Sequence, residues 1–295
     1  MYILKKSIFY ILLTSIVFTT LEPVSKLIAN EVNPLAMTFL RFFLGGLLLM
    51  PFAVAKIKKE KIQLDRKDYI SMTLLGILCI CISMVLLQYA VLRADSPALI
   101  AIIFSSNSVF TILFAAMILK EKITPMKFVA VLFCIIGVLI CADFKSGTNL
   151  ISVVLAVFSA LIFSLYTVLS KKLMIKVSGI IQTSFSFFLG SLVLLAVLLF
   201  TGAEVISCVN KGNIFHLIYL GLIVTGVGYW SYFTAMDKSS ALAASMVFFI
   251  KPILTPFATF FINGITPNMK VFIALVLVLV GSYLSTASTR KKQAS

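Results

Sequence analysis

Ten stretches of this chain are apolar over the length of a membrane crossing, and that repetition constrains the fold more than any other feature. They run over residues 7–28, 34–55, 69–92, 97–119, 125–143, 150–170, 178–202, 214–236, 240–262 and 267–287. Crossing about 30 Å of hydrocarbon takes about 20 helical residues, because each advances the chain by about 1.5 Å. Backbone amides find no water in lipid, so helices that bond them internally are the expected elements. The expectation is an all-α integral membrane protein with ten transmembrane helices. Composition agrees: 61% of the 295 residues are hydrophobic and 12% charged, beyond the roughly half-apolar make-up of soluble domains. Lys5 and Lys6 give the first run the flank of a signal peptide. Its apolar part exceeds the usual span of about 7–15 residues and no small-residue cleavage pattern follows, so it is expected to be retained.

A formal charge of +15 would suit a nucleic-acid binder if the basic residues shared one solvated face. They fall instead in the short gaps between apolar runs. Eighteen of the 25 Lys and Arg lie in one alternate set of gaps and the termini, five (Lys26, Arg93, Lys145, Lys211, Lys270) in the other set, and Arg41 and Lys251 inside runs. The positive-inside rule then puts both termini in the cytoplasm of a multi-pass protein, in the inner membrane of a bacterial-type cell. The basic run 56–67 has no interleaved aromatics, so it reads as a topology determinant against anionic lipid, with no nucleic-acid partner expected.

Enzyme chemistry has little support. His216 is the only histidine, and of the five cysteines Cys79, Cys81, Cys134 and Cys141 lie inside apolar runs, with Cys208 in a gap. No paired carboxylate, triad or metal-ligand spacing appears, so no metal and no cofactor are expected. The phosphate-binding pattern G-x-x-x-x-G-K-[ST] is absent, which leaves ATP-driven pumping by this chain unsupported.

The chain repeats itself. FFLGGL at 42–47 returns as FFLGSL at 187–192, and Val24-Ser25-Lys26 resembles Leu169-Ser170-Lys171, both 145 residues apart. Leu75-Gly76 matches Leu220-Gly221 at the same offset, Ser96-Pro97-Ala98-Leu99 matches Ser239-Ser240-Ala241-Leu242 at 143, and Thr124-Pro125 matches Thr266-Pro267 at 142. Two halves follow, 7–143 and 150–287, with a cytoplasmic basic tail at 288–295. Five crossings per half is odd, so the halves insert in opposite senses. Two inverted five-helix repeats around a central cavity, with a site near mid-membrane at their interface, is a recurring transporter plan.

At this level the chain resembles the drug/metabolite transporter superfamily, in its ten-span branch with two EamA domains. The resemblance rests on FLRFFLGGLLL at 39–49, YAVLRADSPALIAIIFSSNSVFTILFAAMILKEKITP at 89–125 and FCIIGVLI at 133–140. In the second half it rests on SLYTVLSKKL at 164–173, YLGLIVTGVGYWSYFTAMDKSSALAASMVFFIKPILTPFATFF at 219–261 and LVLVGSYL at 277–284. It implies a secondary transporter, commonly an exporter of amino acids or other small metabolites, with the first four helices of each half around the cavity. The acidic residue that often ends the fourth helix is present as Glu121 and replaced by Asn263-Gly264 in the second half, while a family proline is kept as Pro252 and replaced by Ser108 in the first. The same superfamily includes lipid-linked-sugar flippases and their helpers, the alternative reading.

The candidate site residues follow. Lys251 sits mid-run with Pro252 and Pro256 after it, and Thr255 and Thr259 continue its helical face. A lysine at that depth costs about 3 kcal/mol on insertion scales, so it marks a pathway, a substrate anion or a proton exchange, unless a neighbouring helix neutralises it as a structural charge. The two prolines are expected to kink or loosen the helix there. Glu22 and Arg41 fall at similar depth in the outer half and are expected to meet, as a static ion pair or as a gate or substrate clamp. Asn107, Ser108, Gln88, Tyr166, Tyr229 and Tyr232 are the expected lining, amphipathic points in a mostly apolar pocket; ordinary interhelical bonding is the other reading of each. The expected partners are a small-molecule metabolite, the lipid bilayer and protons.

Overall fold

The computed structural model describes residues 2–118, 147–238 and 247–293 apart from positions 175, 204, 206 and 268, together with isolated positions between 119 and 146. The described residues form helices and no strands. The first apolar run is α1 (Tyr2–Thr19) and α2 (Leu21–Leu27), the second α3 (Pro34–Glu60). The third runs unbroken through α4 (Arg66–Gly76), a π-helical stretch (Ile77–Met84) and α5 (Val85–Arg93); the fourth is α6 (Pro97–Ser105) and α7 (Asn107–Ile118). In the second half α8 (Gly147–Leu173) and α9 (Gly179–Thr201) lead to α10 (Ile214–Ile218), a second π stretch (Tyr219–Val227) and α11 (Gly228–Lys238). Then come α12 (Val247–Asn263) and α13 (Met269–Gln293). Among the described residues seven helical stretches are long and apolar enough to cross a membrane. The expected span 125–143, the start of the one at 240–262 and Glu121 lie outside the described residues.

Local chemistry accounts for the boundaries. Asn33 accepts the amide of Leu35 at 2.8 Å with Pro34 first in α3, a preferred helix start. Asp65 and Asp68 form a reciprocal capping box on α4. The first run breaks at Thr20, whose amide bonds back three residues to Val17, and Pro23 withholds a donor from the next turn. The fourth breaks at Ser106, whose hydroxyl takes the carbonyl of Ile103 at 2.7 Å in competition with the helix ladder. Both π stretches fall at corresponding places in the two halves. In the second, Thr225 donates to Leu220 O, five residues back, at 2.8 Å. Helix α12 continues through Pro252 and Pro256 as one helix. Lys26, read from sequence as a gap charge, instead donates to the end carbonyls Val91, Leu92 and Ala94 at 3.3, 2.9 and 2.7 Å. The open C-terminus of α5 leaves those oxygens without helical donors, and the ammonium satisfies them.

The halves meet along α3 and α9, and here residues 145 apart touch each other. Phe42 and Phe187 pack edge to face with centroids 4.7 Å apart, and Phe43 stacks on Phe188 at 5.8 Å. Both contacts join positions that correspond in the two sequence repeats. Further along α3 the partner moves backwards on α9: Ser184 donates to Gly46 O at 3.3 Å and faces Met50 Sδ at 3.7 Å, so the two helices run antiparallel. A second pair of contacts repeats under the same exchange. A Cβ on Gly76 would lie 2.3 Å from Ser186 O and 2.8 Å from Gly190 Cα, and one on Gly45 would lie 3.2 Å from Gly221 O. Gly45 corresponds to Gly190 and Gly76 to Gly221, so one glycine-to-backbone crossing is built twice. Small residues let membrane helices approach this closely.

Candidate functional site

Among the described residues four charged side chains are buried, Asp68 in the first turn of α4 and Glu22, Arg41 and Lys251 among the apolar helices. Glu22 and Arg41 are 0% exposed and Lys251 1%, values that exclude snorkelling to either surface. Glu22 is carried by the short α2, which the break at Thr20 sets apart from α1 and which packs on α6 and α12. Lys251 on α12 donates to Glu22 Oε1 at 2.5 Å. Its ammonium also lies 5.4 Å from the centre of the Phe104 ring, a cation–π distance.

The expected meeting of Glu22 with Arg41 is therefore corrected: the carboxylate takes Lys251. The reason is that α1 and α2 both pack along α12, which brings Lys251 within bonding distance of the buried anion. Arg41 on α3 stays within electrostatic reach of Glu22 and Tyr229. It bonds Thr225 through Nε at 3.3 Å, and its guanidinium lies 5.3 Å from the Phe42 ring centre. Among the described residues the buried Nη1 and Nη2 of Arg41 and Oε2 of Glu22 have no hydrogen-bond partner. Unsatisfied buried charged donors are costly and uncommon in native folds. Two adjacent N–H forks on one guanidinium match the two oxygens of a carboxylate.

The other expected lining residues divide. Thr255 donates to Lys251 O at 2.8 Å and is tied into its own helix, whereas the buried Thr259 hydroxyl has no partner among the described residues. Asn107 accepts Ser164 through its carbonyl at 2.7 Å, and its side-chain Nδ2 is buried without a protein partner. Ser108 donates to Ser105 O at 3.1 Å, and Gln88 donates to Ser25, about one turn beyond Glu22 on α2, at 3.4 Å. Tyr166 is fully buried beside Gln182 and Ser170. Tyr229 packs on Phe18 and Phe187 at 5.0 and 4.9 Å and points its hydroxyl at Met84 Sδ; Tyr232 packs on Phe248 at 5.7 Å.

Sequence reasoning missed Thr225 and the aromatic framework that joins the charges. Phe104 touches Phe163, and Phe163 touches Tyr166, Tyr229 and Phe248. A signal was available, since Phe18 and Phe163, like Phe42 and Phe187, stand 145 residues apart. No group of His, Cys, Asp and Glu among the described residues is arranged to hold a metal ion.

The sequence pattern of the EamA-like transporter family matches residues 5–142 and again 150–287. A Clostridium kluyveri protein named only as an uncharacterized transporter is 36% identical over 297 residues, covering 98% of this chain and 95% of its own. Protein PagO of Salmonella typhimurium is 23% identical over 278 residues, covering 93% and 90%. A protein of known crystal structure superposes with a TM-score of 0.68 at 16% identity, covering 98% of this chain and 99% of its own. At that identity the likeness concerns the fold alone.

Proposed function

The chain belongs to the EamA-like transporter family, and from that premise we propose that it is a secondary transporter that exports amino acids or related zwitterionic metabolites by alternating access. In this reading its ten spans form two inverted repeats, 7–143 and 150–287, around one central site, with the basic tail 288–295 and both termini in the cytoplasm and the body in the inner membrane. Support for the inversion comes from the antiparallel packing of α3 on α9 and from the self-meeting pairs Phe42–Phe187 and Phe43–Phe188.

The observation that carries the substrate class is the charge balance of the interior. Among the described residues two cations, Arg41 and Lys251, face one anion, Glu22, and the unpartnered charged donors are Nη1 and Nη2 of Arg41. A substrate carboxylate on Nη1 and Nη2 supplies the missing acceptors, and a substrate ammonium on Glu22 Oε2 supplies the missing donor. Lys251 then fixes Glu22 in place rather than binding the anion itself. Proton exchange within the Glu22–Lys251 pair is the natural coupling point to a proton gradient. Tyr229, Tyr232, Tyr166, Asn107, Ser108, Gln88 and Thr255 shape the surrounding wall.

The flippase alternative requires a lateral groove open to lipid. A cavity of about 360 Å³ lies between α4 and α8, lined by Ser71, Leu74, Leu75, Leu78, Leu169, Lys172 and Leu173. None of Glu22, Arg41 and Lys251 lines it, which favours the metabolite reading. The deciding experiment is counterflow in proteoliposomes with labelled amino acids, amines without a carboxylate and acids without an amine, with and without a pH gradient. Zwitterions are expected to exchange best, and Arg41→Lys, which loses the bidentate fork, to raise KM for them. Equal exchange of amines, or an unaltered KM in a folded Arg41→Lys protein, would sink the assignment.

A further inference from the structure

The two ends of the molecule carry equivalent clasps between the halves, built from equivalent positions with different charges. At the end marked by the basic loops, α4 offers its N-cap Asp65 and, in its first turn, Asp68. Lys176, between α8 and α9, donates to Asp65 Oδ2 at 3.1 Å and to Asp68 Oδ1 and Oδ2 at 3.0 and 2.7 Å. At the other end, the segment between α9 and α10 offers Asn210 and Asn213. Their Nδ2 groups donate to Glu31 Oε2, between α2 and α3, at 3.3 and 3.0 Å.

Every participant has its counterpart 145 residues away: Glu31 and Lys176, Asp65 and Asn210, Asp68 and Asn213. The internal brace is also repeated, with the amide of Asp65 on Asp68 Oδ2 at 2.8 Å and that of Asn210 on Asn213 Oδ1 at 3.0 Å. The two clasps stand at opposite ends of α3, whose 27 residues span about 40 Å. Each crosses from one half of the chain to the other, so neither survives if its end of the interface parts.

We propose that these are two latches of one alternating mechanism, and that the difference in their charge sets how readily each end opens. The Lys176 latch joins one cation to two anions. Lys176 is 51% and Asp65 71% exposed, so salt screens that contact, and it acts more weakly on the contact with Asp68, which is 6% exposed. The Glu31 latch joins one anion to neutral amides, so ionic strength acts on it far less. High salt is therefore expected to release the basic end and leave the other closed. The proposal rests on the alternating access proposed for transport, but its test needs no substrate, so the transport assignment and the latches fail separately.

The test is hydrogen–deuterium exchange on the full chain in lipid nanodiscs. Lys176→Ala is expected to speed exchange several-fold around residues 61–68 and to slow it around 28–33 and 207–213; Glu31→Ala is expected to do the reverse. The pair Glu31→Lys with Asn210→Asp moves an ionic latch to the other end and is expected to make that end salt-sensitive. Wild-type protein compared at about 0.1 M and about 1 M salt, where the screening length falls from about 10 Å to about 3 Å, is expected to mimic Lys176→Ala without any substitution. Faster exchange confined to the altered end, with the far end unchanged, would reduce both clasps to local surface contacts and overturn the proposal. So would an absence of any salt effect on the wild type.

Discussion

Lys251 and Glu22 neutralise each other where neither has access to water, and the energetics of such pairs is asymmetric. Removing one partner strands the other, at a cost of about 3–5 kcal/mol, whereas replacing both with neutral groups of similar shape is often nearly neutral. Lys251→Met is therefore expected to lower thermal stability sharply in detergent, and Glu22→Gln combined with Lys251→Met to regain most of it, as read by intrinsic fluorescence unfolding. Under the transport reading the double variant is stable yet loses any pH-gradient dependence. A folded Lys251→Met protein that transported at the wild-type rate and pH dependence would remove the pair from the mechanism. That Lys251 mattered was legible in the sequence, because a mid-run lysine is expensive. Its partner was not legible, since depth counted along two helices says nothing about which way a broken segment such as α2 turns.

At the scale of elements, the glycine crossings set the distance between the halves. The Cβ of an alanine at position 76 would meet backbone at 2.3 Å on α9, and backbone has no rotamer by which to give way. Gly76→Ala is expected to destabilise by about 1–3 kcal/mol or more, and Gly190→Ala similarly. Gly202 ends α9 with φ of 65°, and a Cβ added there would meet nothing within 4 Å. Gly202→Ala is expected to cost only the backbone penalty of about 1–2 kcal/mol. Melting temperatures of the three variants in one detergent check the ranking. The apolar runs foretold the extent of most described helices. They did not foretell the breaks at Thr20 and Ser106 or the two π stretches, because hydropathy is blind to which carbonyl an amide or hydroxyl takes.

For the whole molecule, the exposed apolar flank is the outer wall of a membrane protein. Phe200 is 92% and Phe261 81% exposed, which is stable only against lipid. Single cysteines introduced at exposed sites in the segment 56–67 and at position 211 should react with an impermeant reagent from opposite sides of sealed vesicles, the former only from the cytoplasmic side. Labelling of both from one side would overturn the topology. The ionic clasp has a pH signature too. Hydrogen bonds to Asp68 and Asp65 hold the Lys176 ammonium above the ordinary lysine range. A raised cationic pKa adds stability that is whole below the unfolded value and is lost as pH climbs through the folded one. Protection around residues 61–68, taken relative to the intrinsic exchange rate, should consequently hold through neutral pH and be lost in strongly alkaline buffer, and also in acid as Asp68, held below the ordinary carboxylate range by the same contacts, takes up a proton.

The sequence by itself determined the solvent, the helical class and the two-repeat plan, because all three follow from apolar length, backbone satisfaction in lipid and an offset of 145 that can be counted. Residue pairs such as Gly45–Gly190 were on view as repeats before any contact was known. Only the tertiary structure decided that Glu22 belongs to Lys251, that Arg41 holds two buried donors without a protein partner, and that Glu31 and Lys176 reach across opposite ends of the same interface. Those facts depend on the direction in which helices turn and on who stands opposite whom. A repeat in one dimension specifies equivalence between positions, but contact is a property of their packing in three.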